Sequence, residues 1–154
     1  MSAQNDLFAA RHVTRVAVVQ ALYQMEVSGA SIDAVTEDFQ SGKLPRDEAG
    51  FVDGEVDLEL FKSLMHGAVN RQETIDRAIA RRLSTGWRLD RLDAVARAIL
   101  RAGAAELEQR LDIPAPVVID EYVEIAKSFF NGPEPGFVNA ALDACARDLR
   151  PTEA

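Results

Sequence analysis

Apolar residues recur at intervals of three and four along almost the whole chain, and no segment alternates at two for long. A chain patterned in this way buries its apolar stripes by packing helix on helix, so the fold class it predicts is all-α. The first helix is expected over about 9–29, because Val13, Val16, Ala17, Val19, Leu22, Tyr23 and Val27 occupy several faces and Gly29 offers a stop. Such a helix packs on more than one side. Ser31 reads as the N-cap of a short helix through Ile32, Val35 and Phe39, ending near Gly42. Residues 42–56, GKLPRDEAGFVDGEV, read as a surface loop. A stripe from Leu58 to Leu83 predicts one bent helix or two consecutive ones over 57–84, with Gly86 as the stop.

Asp90 and Asp93 favour a helix starting near residue 90, whose stripe is Leu92, Val95, Ala96, Ile99, Gly103 and Leu107, with Arg97, Arg101 and Glu108 opposite. The small residues Ala102–Ala105 let a neighbour approach closely, so this helix is expected to be a packing hub. After the prolines of DIPAPVV, Val118, Ile119, Tyr122, Ile125, Ala126 and Phe129 face inward. Asp120, Glu121, Glu124, Lys127 and Ser128 form the wet side. FNGPEPG is a turn, the last helix covers about 135–149, and the tail RPTEA is expected to fray.

With 154 residues the chain suits one domain, or two small helical subdomains, with a core that needs no staples. No run of eighteen apolar residues and no signal-peptide pattern is present, so a soluble, cytoplasmic protein without membrane contact is expected. The single Cys145 excludes an internal disulfide and reads as small core filler. A formal net charge of −8 argues against nucleic-acid binding over the whole surface. The charge is unevenly spread. Residues 31–60 carry nine acids against Lys43 and Arg46, whereas residues 71–101 carry eight arginines against Glu73, Asp76, Asp90 and Asp93. That second window either forms a local basic surface or consists of solvated helix faces.

No catalytic constellation is visible, and the chain reads as a non-enzyme. GKLPRDEAG lacks the spacing and the Ser or Thr of a phosphate loop, and Asp120 and Glu121 point to adjacent helix faces. His12 and His66 are far apart with no metal-ligand spacing around them, so neither metal nor cofactor is expected; His66 reads as a partly buried helical histidine. What remains is recognition. Arg11 and Arg15 are four residues apart on one helix face with His12 beside them, at a helix end whose dipole favours anions, so a phosphate fits there. Tyr23 and Phe137 could stack on bases, although each also suits a core position. Asn139 has the donor and acceptor that base edges require, or else it bonds a neighbouring backbone.

Four stretches, VVQALYQMEVSG, LDRLDAVARAILRAGAAEL, DIPAPVVIDEYVEIAKSF and FVNAALDACAR, resemble the transcription antitermination factor NusB family in order and separation. The resemblance covers nearly the whole chain and is weakest across 30–56; IDEYVEIAKSF followed by FVNAALD is its most specific part. It implies a single domain over 1–154 made of two small packed helical bundles, about 9–84 and about 88–150. Such proteins pair with the ribosomal small-subunit protein that doubles as NusE. They bind single-stranded boxA RNA and load onto RNA polymerase to suppress premature termination in ribosomal RNA operons.

The family's arginine-rich N-terminal segment falls on Arg11, His12 and Arg15, diluted by Val13 and Thr14. Its FVN motif places Phe137 and Asn139 near RNA, and Lys127 inherits a weaker expectation beside its role as an i,i+3 companion of Glu124. So few cations imply weak boxA binding without the partner. No motif marks the partner-binding surface. Two alternatives stand beside this reading: a protein-only adaptor acting as a homodimer, and a detached N-terminal domain of a ribosomal RNA cytosine methyltransferase, where NusB-like domains also occur.

Overall fold

The computed structural model describes residues 3–40, 56–83 and 88–151, with side chains from residue 9 onward except Phe39, Gln40 and Arg82. Seven α-helices lie in these residues: α1 Ala3–Ser28, α2 Ile32–Gln40, α3 Leu58–Asn70, α4 Gln72–Arg82, α5 Ala94–Gln109, α6 Ala115–Phe129 and α7 Glu134–Leu149. No described residue is in a strand. The fold is all-α, as the periodicity predicts.

Local chemistry sets most helix ends where the sequence places them. Gly29 ends α1 at φ 75°, a left-handed backbone that a side chain would strain. Ser31 Oγ accepts the Ala34 N–H at 3.1 Å and caps α2. The 57–84 stripe resolves into two helices, α3 and α4, which meet at Arg71. Asp57 caps α3 through the Leu60 N–H at 3.1 Å. A single 3-10 turn, Leu89–Arg91, precedes α5, whose N-cap is Asp93 accepting from Val95 N–H at 2.8 Å. The expected loop at 42–56 lies, Val56 apart, outside the described residues, as does Gly86.

Helix α5 is the hub. It packs against α1, α3, α4, α6 and α7, and Ala96, Ile99, Leu100, Ala102, Gly103, Ala104, Ala105 and Leu107 are all buried. Gly103 is there because of close approach: a Cβ on it would meet Leu142 Cδ1 of α7 at 2.8 Å. Cys145 is fully buried as the core filler expected of it.

Four expectations need correction. His66 is exposed, since it falls between the buried positions Met65 and Gly67 on the outward face of α3. Glu121, assigned to the wet side of α6, is buried. Arg150 does not fray; it is 3% exposed. The arginines of 71–101 do not form one free basic surface, because three of them are matched by acids of other elements. Arg71 pairs with Glu108 at 3.0 Å, Arg101 with Asp76 at 2.9 Å, and Arg97 with Glu26.

Candidate nucleic-acid interface

Helix α1 begins at Ala3 and not near residue 9, so Arg11, His12 and Arg15 do not sit at its N-terminal end; Thr14 and Arg15 face inward from its fourth turn. The Thr14 hydroxyl donates to Ala10 O at 2.6 Å and accepts the Asp57 N–H at 2.8 Å, so it ties α1 to the start of α3. Thr14 dilutes the basic run because it has this structural task.

Arg15, expected at an RNA-facing surface, is 1% exposed. Its Nε and Nη2 donate to Glu106 of α5 at 2.9 and 2.7 Å, and its Nη1 donates to Glu121 of α6 at 2.9 Å. Tyr122 Oη donates to Glu106 Oε1 at 2.9 Å. A bidentate guanidinium between two carboxylates, closed by a phenol, satisfies a charge that the core would otherwise expel. Arg15 is therefore withdrawn as an RNA ligand: its charge is spent on α5 and α6.

His12 extends the cluster to the surface. Its Nδ1 lies 3.1 Å from Glu121 Oε2, and the side chain is 43% exposed against 9% for Glu121. The hydrogen bond to Glu121 raises the imidazole pKa above its ordinary value, outweighing the opposite effect of burial. Burial pushes the Glu121 carboxyl up, but the His12 hydrogen bond and the Arg15 charge together bring it below its ordinary value. Burial, then Glu106, raises the Tyr122 hydroxyl well above 10.0, so Tyr122 is a donor at every physiological pH.

The remaining expected residues are spread over one α1 face and parts of α6 and α7. Arg11 is half-buried, and its Nε has no hydrogen-bond partner among the described residues. Tyr23 is 39% exposed, and its eleven-residue offset from His12 is three helical turns, which puts both on one face about 16 Å apart. On α6, Lys127 is exposed and bonds Glu124 at 3.2 Å, and Glu124 also acts on His12. Phe137 is half-buried and packs against the core. Asn139 is exposed and lines a groove of about 360 Å³ between α6 and α7, with Ala115, Ile119, Asp120, Asp143 and Arg147.

Sequence reasoning missed Glu106, Glu121 and Tyr122 as supports of this face. One signal was present: Arg15 and Glu106 are opposite charges, each at helical spacing with apolar positions of its own helix, Val18, Val19 and Leu22 for Arg15 and Ile99, Ala102 and Gly103 for Glu106. Among the described residues no group of three His, Cys, Asp or Glu is placed to hold a metal, and no helix is long and apolar enough to cross a membrane.

The NusB family model matches residues 12–147. The chain belongs to the NusB family. It is 58% identical to the transcription antitermination protein NusB of Caulobacter vibrioides over 140 residues, which covers 91% of this chain and 94% of that protein. To the NusB of Maricaulis maris it is 49% identical over 149 residues, covering 93% and 89%. Among solved structures, T. maritima NusB superposes with a TM-score of 0.76 at 32% identity, over 93% of this chain and 94% of that one. A chain from the crystal structure of antitermination factors NusB and NusE in complex with dsRNA gives 0.72 at 26%, over 91% and 98%. The family resemblance read from the four sequence stretches is therefore right.

Proposed function

We propose that this chain is a transcription antitermination factor. It pairs with the NusE-type ribosomal small-subunit protein, binds boxA RNA, and joins the RNA polymerase antitermination complex in the cytoplasm to suppress premature termination in ribosomal RNA operons. The observation that carries this reading is likeness along nearly the whole chain to NusB proteins, including one solved with NusE and RNA. The protein acts by binding rather than catalysis, and no cofactor enters.

The RNA face in this reading is the outer side of α1 with the adjoining part of α6: Arg11, His12 and Tyr23, flanked by Lys127, with Phe137 and Asn139 from α7. Arg15 holds this face from behind. Few cations are available there on a chain of net charge −8, so the partner supplies much of the phosphate contact.

Binding of a short boxA RNA and of a scrambled control, with and without the NusE-type partner across a salt series, tests the reading. A boxA preference that tightens with partner is expected, with Arg11→Ala flattening the salt slope by about 0.7 for the lost phosphate. No preference in either state overturns it and leaves a protein-only adaptor.

A further inference from the structure

Three buried charges, Arg15, Glu106 and Glu121, sum to −1, and the one group of this cluster that reaches solvent is a histidine. Protonating His12 brings the cluster to neutrality. The same contact also fixes which imidazole nitrogen can act outward. A carboxylate at 3.1 Å from Nδ1 demands a proton on Nδ1. A neutral ring held in that tautomer turns a lone pair outward at Nε2, and a lone pair repels a phosphate oxygen. The imidazolium turns an N–H outward instead. Nε2 has no protein partner among the described residues, and the ring is 43% exposed.

We propose that Glu121 is a positioning residue for RNA binding: it holds His12 by Nδ1 so that only the imidazolium can donate from Nε2 to an RNA phosphate, and boxA binding takes up a proton. The inference rests on the reading that α1 faces RNA. A histidine free of Glu121 could adopt the other tautomer and bond phosphate while neutral. Glu121 removes that option and ties the contact to charge. The groups around His12 agree in sign: Glu121 and the exposed Glu124 from α6 favour its proton, while Arg15 from α1 opposes it and is itself matched by Glu106 from α5. The Glu121 contact raises the His12 pKa, so the change falls at higher pH than for an isolated histidine.

The test measures boxA RNA affinity with the NusE-type partner from pH 6 to pH 8, each point over a salt series. The native chain is expected to lose about three- to tenfold in affinity across that range, with the salt slope falling by about 0.7. His12→Gln is expected to remove the pH dependence and His12→Arg to keep the pH 6 affinity at pH 8. His66→Gln, on the exposed face of α3, leaves the native profile. Glu121→Gln moves the His12 ring titration, followed by NMR, to lower pH and flattens the affinity profile, because a ring freed from the carboxylate can donate from Nε2 while neutral. If that variant does not fold, the two His12 variants decide. A pH dependence that survives His12→Gln overturns the proposal. So does a flat native profile while Arg11→Ala still weakens binding, and in that case the RNA face stands without it. Loss of all boxA preference overturns both.

Discussion

Arg15 carries a full charge into the centre of the molecule and is held there by groups from two other helices. The arrangement has an asymmetric energy: assembling it contributes little net stability, because desolvation offsets most of the attraction, but removing one partner strands the others. Arg15→Ala leaves Glu106 fully buried without its bidentate donor. We expect it to lower unfolding free energy by about 3–5 kcal/mol in urea denaturation, and a loss under 1 kcal/mol would show that the carboxylates rehydrate freely. In RNA assays the same substitution acts through misplacement of α1 and not through a lost phosphate contact. Its salt slope is therefore expected to match that of the native chain once compared at equal folded fraction. Arg11→Ala, at a half-buried surface position, has the opposite signature.

Helices meet here through small residues as well as through charges. The run Ala102–Ala105 brings α5 close to its neighbours, and Gly103 marks where α7 comes nearest, with Leu142 and Tyr122 over its Cα. In an isolated helix Gly→Ala gains about 1 kcal/mol in propensity. At Gly103 the added methyl would have to displace Leu142, which is fully buried and hemmed in by the core. Gly103→Ala is expected to destabilise by about 1–2 kcal/mol net, read as a lower urea midpoint at unchanged slope. A raised midpoint would mean that Leu142 can change rotamer at no cost. The stripe of α5 was legible because it obeys the helical period. The inward turn of Glu121 on α6 was not, because period and polarity alone assign any carboxylate to water.

Across the whole molecule the chain's end is fastened to its middle. Arg150 is buried and donates to Leu107 O at 2.7 Å, Arg110 O at 2.6 Å and Ile113 O at 2.5 Å, so the residue after α7 caps the C-terminal end of α5 and holds the turn into α6. A guanidinium can reach several carbonyls at once, which an ammonium on a flexible stem cannot. Arg150→Ala is expected to cost about 3 kcal/mol, and Arg150→Lys to recover little of it. A thermal midpoint within 1 °C of native for Arg150→Ala would refute the clasp. By itself the sequence determined the helical class, most helix ends, the hub role of α5 and the family. These follow from apolar spacing, caps and short motifs, all of which are local along the chain. Only the tertiary structure decided the fate of the charges. Arg15 is 91 residues from Glu106 and 106 from Glu121, and Arg97 finds Glu26 from another helix. Whether a charge meets water or a counter-charge depends on which helices are neighbours. That is fixed by packing, so Arg15 became an internal support of α1 while His12 alone carried the cluster to the surface.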